Sequence, residues 1–243
     1  MSIRSLRSAV AFLTVIPGTA RADGPGERLG RAYFPAVGAG LGLLAGLAFV
    51  VVSALAGPLL GGVAAVAALA VLTGGLHLDG VADAADGLFG VGSLERRLEV
   101  MRDPRIGSFG GIALVLVLVG DVAALAAMSP ARAIVALVVA GALSRLAMLA
   151  TVVLAPYRRE AGLGLAAQGA HGRFDLLLGA ALASLACLLD VRHALIAVPV
   201  AGLVAVGIVA LARRRIGGAT GDIYGAVAEA CQLAALIVFA ASR

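Results

Sequence analysis

The sequence predicts an all-α membrane protein, a bundle of about seven transmembrane helices that forms a single domain over residues 1–243. Apolar residues make up 61% of the chain and charged residues only 14%, and the mean hydropathy of +1.05 lies far outside the range of soluble proteins. A helix needs about 20 residues to cross a hydrocarbon core of roughly 30 Å. Apolar runs that approach this length lie at 34–57, 59–75, 111–128, 132–154, 175–189, 194–212 and 225–241.

The first element is a predicted amphipathic helix before these spans. Ile3, Leu6, Val10 and Leu13 recur at helical spacing opposite polar residues, and Pro17 ends the pattern. Such a helix lies in the membrane interface. A signal peptide is the weaker alternative, since its apolar core would not be expected to keep this periodicity.

The arginines predict the orientation of the spans. All 19 basic residues are arginine, and fifteen of them fall on one side of the predicted bundle. The positive-inside rule places that side in the cytoplasm, with the C-terminus opposite. The triplet Arg213–Arg215 then serves as a topology and lipid-headgroup anchor rather than a nucleotide clamp, and the basic charge does not indicate nucleic acid. The predicted cytoplasmic parts are the N-terminus and the loops 76–110, 155–174 and 213–224.

An acidic stretch, GGLHLDGVADAADGLFG, follows the second apolar run. Asp79, Asp83 and Asp86 fall at i, i+4 and i+7, so three carboxylates share one helical face. Like charges this close repel unless a cation lies among them. Mg²⁺ prefers oxygen ligands and often shares them with substrate phosphates, so the stretch predicts a metal-diphosphate site. The alternative is a solvated interfacial turn without a ligand.

Phosphate-binding groups are predicted on both sides of a short surface helix at 93–101. Gly80 and Gly87 would let a phosphate approach the backbone. Arg102 and Arg105, in MRDPRIGSFGG, can grip phosphate oxygens with two hydrogen bonds each. An ordinary positively charged flank of the next span is the alternative.

Further acids are predicted to join the same site from other segments. Asp222 and Glu229 are seven residues apart at the start of the last span, on the same predicted side as Asp103 and the acidic stretch. His77 suits a general base or a phosphate donor, with an interfacial histidine bonded to backbone as the alternative. Within the spans, Asp121 and Arg145 are expected to form a structural ion pair rather than to bind substrate.

These motifs resemble those of a known family. GGLHLDGVADAADGLFG followed by MRDPRIGSFGG is similar to the signature of the cobalamin synthases, the adenosylcobinamide-GDP ribazoletransferases of late vitamin B12 synthesis. The segments AFLTVIP, YRREAGLG and TGDIYGAVAE extend the resemblance over nearly the whole chain. The first two motifs together are specific, whereas FLTVIP alone would not be.

The resemblance implies a Mg²⁺-dependent, multi-pass enzyme of the bacterial inner membrane whose active site faces the cytoplasm. It implies that adenosylcobinamide-GDP is joined to α-ribazole or its 5′-phosphate, giving adenosylcobalamin or its 5′-phosphate and GMP. The expected partners are these substrates, the bilayer and other cobalamin-assembly enzymes at the membrane.

The resemblance also assigns roles by position. Arg102 and Arg105 would bind phosphate. From the residues themselves, we expect the backbone at Gly80 and Gly87 to contribute to phosphate binding, and Asp83, Asp86 and His77 to be catalytic. The implied metal and diphosphate ligands are Asp79, Asp83, Asp86, Asp103, Asp222 and Glu229.

The chain departs from the family pattern at two positions. Pro104 stands where a small polar residue is usual, and Gln232 stands where a second glutamate often follows Glu229, so no metal role is expected at position 232.

Other classes of membrane protein fit less well. A CDP-alcohol phosphotransferase expects Ala-Arg after its DG, where this chain has Ala82-Asp83. A membrane prenyltransferase expects an asparagine before its aspartates. A transporter of a phosphorylated solute would spread polar residues through mid-membrane positions, whereas here the acids gather at one interface.

Overall fold

The computed structural model describes residues 3–16, 29–158, 167 and 172–241. Within these ranges the chain forms ten α-helices and one 3₁₀ turn at Arg31–Tyr33, with no β-strand, which confirms the all-α prediction. Pro17, Arg243 and most of YRREAGLG lie outside the described residues. The helices are α1 (Ile3–Leu13), α2 (Phe34–Ala56), α3 (Pro58–Thr73), α4 (Leu76–Phe89), α5 (Leu94–Val100), α6 (Ser108–Ala126), α7 (Pro130–Leu154), α8 (Gly172–Cys187), α9 (Val191–Ile216) and α10 (Gly221–Ala241).

The number of membrane spans differs from the predicted seven. By length and composition, five helical segments can cross a membrane: α2 with its preceding turn, α6, α7, α9 and α10. Counting α3 and α4 together as one broken span or re-entrant pair gives six. The predicted spans at 59–75 and 175–189 correspond to α3 and α8, which have only 16 residues each, a length of about 24 Å.

Two glycines separate α3 from α4. Gly74 and Gly75 adopt φ of +62° and +70°, a region that residues with a Cβ rarely enter. The two helices meet at 92°. The acidic stretch therefore turns away from the direction of α3 instead of continuing a straight span.

The amphipathic α1 forms as predicted and packs by its apolar side. Ala9 and Leu13 are fully buried, while Ile3 stays 80% exposed. The N–H of Val15, just after α1, donates to the carbonyl of Leu72 near the end of α3 at 2.9 Å. This contact places α1 at the same end of the bundle as α4.

Several arginines of the predicted cytoplasmic side satisfy helix ends. Arg97 is buried and donates to the carbonyl oxygens of Gly87 and Leu88 at 2.9 Å each. Arg213 donates to the carbonyl of Leu154 at 2.9 Å. Carbonyls in the last turn of a helix lack partners within the helix, so these guanidiniums cap α4 and α7.

Candidate active site

The candidate site is built on a close crossing of α4 and α10. A Cβ placed on Gly80 would lie 2.9 Å from the carbonyl oxygen of Asp222, and one on Gly225 would lie 3.0 Å from that of His77. Only glycine allows two helix backbones to approach this closely. The crossing therefore puts Asp222, at the start of α10, directly beside the turn of α4 that carries the first acids of the motif.

Three carboxylates lie at the open side of this crossing. Asp79 is exposed, and Asp83 and Asp222 are half-buried. Thr220 donates its hydroxyl to Asp222 Oδ2 at 3.2 Å, which fixes that carboxylate at the start of α10. The structure thus places the backbone of Asp222 beside the turn of α4 that carries Asp79 and Asp83, two segments that are far apart in sequence.

Asp86 has a different environment from the other two acids of the stretch. It is 8% exposed, and its two oxygens accept hydrogen bonds from the N–H of Gly107 at 2.7 Å and of Gly110 at 2.9 Å. These N–H groups belong to the start of α6, where a helix has unsatisfied donors and a positive dipole. Asp86 therefore caps α6 and ties it to α4, an interaction that its predicted catalytic and metal roles did not include.

Asp103 and Arg105 bind each other. Arg105 donates through Nε to Oδ1 at 2.9 Å and through Nη2 to Oδ2 at 2.7 Å. Hydrogen bonds from the side chain and then the backbone N–H of Arg105 lower the pKa of Asp103 from 3.8 to about 2. Arg102, by contrast, is exposed and has only a backbone hydrogen bond to Glu99.

The two predicted phosphate-binding glycines are packing positions. Gly80 lies against Asp222 as described above. A Cβ on Gly87 would overlap the side chain of Met101, which fills the space above this residue. The sequence predicted that the backbone at Gly80 and Gly87 would be open to a phosphate. In the structure, other protein atoms occupy the space beside each of these glycines.

His77 lies in the interior and not at the open acidic side. It is 1% exposed, and its Nδ1 lies 3.4 Å from Nη2 of Arg145. Since a guanidinium can only donate, this contact makes Nδ1 the acceptor. The burial of His77 argues against its predicted role as a general base at the diphosphate site.

The mid-membrane charges do not form the predicted Asp121–Arg145 ion pair. Gln232 donates to Asp121 Oδ2 at 3.3 Å, and Arg145 donates to the hydroxyl of Ser144 at 2.9 Å. Asp121, Arg145, Glu229 and Gln232 instead line one small cavity. Glu229 lies within electrostatic range of both Arg145 and Asp121. Glu229 therefore belongs to an interior polar cluster and not to the Asp79, Asp83 and Asp222 group.

The carboxylate oxygens are suitable ligands for a hard divalent cation, but the protein alone does not supply a complete ligand set. Among the described residues, no group of three or more His, Cys, Asp or Glu side chains is close enough to hold a metal by itself. Asp79, Asp83 and Asp222 supply the carboxylate oxygens that Mg²⁺ prefers, and Mg²⁺ commonly completes its shell with water and substrate phosphates. These three of the six ligands predicted from sequence have carboxylates that are not buried, and their metal role stays a prediction.

Sequence reasoning missed residues whose roles depend on distant partners. Arg97 and Gln232 act through a helix end and a buried carboxylate, and no local pattern marks either of them. Arg158 was visible within YRREAGLG but had no assigned role; it lies against the loop that leads to Asp222.

The fold and the site define a multi-pass membrane protein with an acidic site at one end of its helices. The family model of cobalamin-5-phosphate synthase matches residues 5–240, so the chain belongs to this family.

Relatives from several bacteria support this membership. The adenosylcobinamide-GDP ribazoletransferase of Stutzerimonas stutzeri is 39% identical over 232 residues, which cover 94% of each chain. That of Azorhizobium caulinodans is 42% identical over 212 residues, 84% of this chain and 80% of its own. That of Escherichia coli O139:H28 is 39% identical over 209 residues, 84% of each chain. No solved structure matches the chain.

Proposed function

We propose that the protein transfers the cobinamide phosphate of adenosylcobinamide-GDP to a ribose hydroxyl of α-ribazole or its 5′-phosphate. The products are adenosylcobalamin or its 5′-phosphate, and GMP. Family membership supports the reaction. The observation in the structure that supports the proposal is the α4–α10 crossing, which places Asp222 beside the turn of α4 that carries Asp79 and Asp83, none of the three being buried.

The reaction is a phosphoryl-type transfer without a covalent enzyme intermediate. The hydroxyl oxygen forms a bond to the phosphorus on the cobinamide side of the diphosphate, and the bond from that phosphorus to the bridging oxygen breaks. GMP departs with the bridging oxygen, and the hydroxyl proton passes to solvent or to a nearby carboxylate. Catalysis of this kind depends on positioning and on charge stabilisation.

Mg²⁺ is the proposed cofactor, and Asp79, Asp83 and Asp222 are its proposed ligands. When bound, it would neutralise charge that develops on the diphosphate. In the absence of a cation, three carboxylates would repel a diphosphate, since like charges repel.

Other residues of the motifs keep the site in shape. Asp86 holds the start of α6 against α4, and Arg97 caps the end of α4. The pair of Asp103 with Arg105 stiffens the segment before α6 and leaves the exposed Arg102 as the phosphate-binding candidate of that segment.

We place the site on the cytoplasmic side of a bacterial inner membrane, because fifteen of the nineteen arginines lie at that end of the chain's predicted topology. Contact with other enzymes of cobalamin assembly at this face is part of the same proposal.

The direct test uses purified protein in detergent or liposomes. Adenosylcobinamide-GDP and α-ribazole are supplied with Mg²⁺, with EDTA, or with Ca²⁺ in place of Mg²⁺, and GMP release is followed by chromatography. We expect GMP to appear in equal amount to the cobalamin product and only with Mg²⁺. Release of GMP without cobalamin formation, or no release under any condition, would contradict the proposed reaction. Full turnover in EDTA would contradict the metal requirement alone.

A further inference from the structure

Arg158 follows α7 and is fixed beside the loop that leads into α10. Its backbone N–H donates to the carbonyl of Ala219 at 3.0 Å, and the N–H of Ala219 donates to the carbonyl of Pro156 at 2.8 Å. Ala219 is fully buried. Backbone hydrogen bonds therefore fix the segment that carries Arg158 to Ala219, three residues before Asp222. These bonds do not involve the arginine side chain.

Two glycines make room for the Arg158 side chain. A Cβ on Gly218 would lie 2.6 Å from Cγ of Arg158, and one on Gly217 would lie 3.2 Å from its Nε. The side chain thus extends over the Gly217–Gly218 turn. Arg158 is exposed, and its guanidinium makes no hydrogen bond or ion pair with the described residues.

The charge of Arg158 is felt at α5. The pKa of Glu95 in α5 is lowered mainly by its own backbone N–H and by the Ser93 hydroxyl, and Arg158 adds a smaller contribution. Arg105, which the sequence favoured as a phosphate ligand, already donates from its Nε and Nη2 edge to the two oxygens of Asp103, so this edge is not open to a phosphate. Arg158 is bonded through its backbone to Ala219, three residues before Asp222, and within the described part of the chain its guanidinium donates to no side chain.

We propose that Arg158 binds a phosphate group of the guanine-nucleotide substrate and retains GMP at the site after transfer. A planar guanidinium can donate two parallel hydrogen bonds to phosphate oxygens, a geometry that lysine cannot reproduce. The inference rests on the proposed reaction, because it assigns one contact within that site.

The test compares Arg158→Gln and Arg158→Lys with wild type and with Arg214→Gln. Arg214 is the matched control, because it is an exposed arginine near the end of α9 that lies at the same end of the bundle. GMP binding to the full-length protein in detergent with Mg²⁺ is measured by equilibrium dialysis. The Michaelis constants for adenosylcobinamide-GDP and α-ribazole, and thermal stability, are measured on the same preparations.

We expect Arg158→Gln to weaken GMP binding and to raise the Michaelis constant for adenosylcobinamide-GDP by about tenfold or more, the range for losing a charged hydrogen bond. The Michaelis constant for α-ribazole and the thermal stability should stay at wild-type values. Arg158→Lys should recover only part of the loss, and Arg214→Gln should match wild type. Equal effects on both substrates, an equal loss in Arg214→Gln, or wild-type GMP affinity in Arg158→Gln would overturn the assignment.

The two proposals fail in different ways. A wild-type protein that binds GMP through Arg158 but releases none from the two substrates would contradict the reaction. An active wild type whose Arg158→Gln variant binds GMP normally would leave the reaction intact and remove Arg158 from it. If Arg158→Gln does not fold, Arg158→Lys keeps the charge and the side-chain length, and its GMP affinity decides the question.

Discussion

The three aspartates of the acidic stretch have one spacing and three environments. Asp79 is exposed, Asp83 is half-buried beside α10, and Asp86 is buried and bonded to two backbone N–H groups. A helical repeat predicts a shared face but not the elements that cover it. The acids with open carboxylate surface are suited to ligand binding, and the enclosed one is suited to holding the fold.

Asp83→Asn is expected to reduce GMP release by about a hundredfold or more, because it removes a charge that acts on the transferring diphosphate. Thermal stability without Mg²⁺ should hold or rise, since one repulsive carboxylate is gone. Turnover and unfolding in detergent are measured on one preparation, with the exposed Glu99→Gln as control. Normal turnover, or loss of folded protein, would contradict the metal-site role.

Asp86→Ala is expected to destabilise the protein. It would leave the N–H groups of Gly107 and Gly110 without this acceptor, at about 1–3 kcal/mol for the buried donor of Gly110. The measurement is the thermal midpoint in detergent, with exposed Asp79→Ala as the matched change. A midpoint equal to wild type would show that the two N–H groups find other partners.

The Asp103–Arg105 pair makes a prediction about pH. Because the pKa of Asp103 is lowered to about 2, its contribution to loop order is complete above its ordinary value of 3.8 and is lost as pH falls through about 2. Arg105→Gln should raise the Asp103 pKa toward 3.8, as followed by carboxyl-carbon NMR, whereas Arg102→Gln should change it little. An unchanged Asp103 pKa in Arg105→Gln would assign the shift to another cause.

At this scale, the sequence identified residue types more reliably than their partners. The spacing of Asp79 and Asp83 predicted an acidic face, and the structure leaves both with open surface. The partner of Asp86 lies more than twenty residues away in a glycine segment, and that of Asp121 is Gln232 in another helix. Such contacts depend on how helices pack, which a local pattern does not determine.

Among the helices, the α4–α10 crossing has the greatest effect on the site. The apolar runs predicted where helices lie, since their length and periodicity are local properties. The 92° turn at Gly74–Gly75 was not predictable, because a glycine pair allows many backbone directions. The predicted runs at 59–75 and 175–189 form α3 and α8, whose 16 residues fall short of the roughly 20 that a straight span needs. Because Arg213 joins the end of α9 to the end of α7, the chain between these helices still has to return to the other side, and α8 is the described helix of that segment.

Gly80→Ala and Gly225→Ala are expected to separate α4 from α10. The new methyl groups would meet backbone atoms at 2.9 Å and 3.0 Å, so the helices must shift. Overpacking of this kind costs about 1–3 kcal/mol, and a displacement near 1 Å at a catalytic group can cost about a hundredfold in rate.

The control is Gly202→Ala in α9, where a Cβ meets nothing within 4 Å. It should be neutral or slightly stabilising, because alanine is the better helix former. GMP release and thermal midpoints are compared for the three variants. Equal behaviour of Gly80→Ala and Gly202→Ala would show that the crossing tolerates separation.

Across the whole molecule, an interior polar cluster connects the helices that carry the site. Arg145 of α7 contacts His77 of α4 and lies near Glu229 of α10, while Asp121 of α6 is bonded to Gln232 of α10. Asp121 Oδ1 and Arg145 Nε have no hydrogen-bond partner in the described part of the chain. Two carboxylates and one guanidinium lie in an apolar interior, so the energetic cost of burying each charge depends on the other two.

Arg145→Ala should therefore lower the yield of folded protein, and its stability by about 3 kcal/mol or more, because the buried Glu229 would lose the cation that acts on it. Adding Asp121→Asn should recover part of this loss by removing the repulsion. A double-mutant cycle on thermal unfolding measures the coupling. Strictly additive losses would mean that the two charges act independently.

The orientation of the bundle can be argued from contacts as well as from arginines. Arg213 near the end of α9 reaches the end of α7, and α10 begins five residues after α9 ends. At the opposite ends of α9 and α10, the ring of His193 in α9 stacks on Phe239 in α10 with centroids 4.7 Å apart. The two helices are thus antiparallel, and the 21 residues of α10 extend about 32 Å, enough to cross a bilayer.

Reporter fusions after Ile216 and after Arg243 are therefore expected to give opposite signals, with the first in the cytoplasm according to the positive-inside rule. A fusion after Leu154 should agree with the one after Ile216, because Arg213 ties these two helix ends together. The fusions are compared at equal expression, using a phosphatase that is active outside and a fluorescent protein that is active inside. Matching signals at Ile216 and Arg243 would mean that α10 does not cross, and the acidic site would then lack the membrane face on which its proposed access to cytoplasmic nucleotide depends.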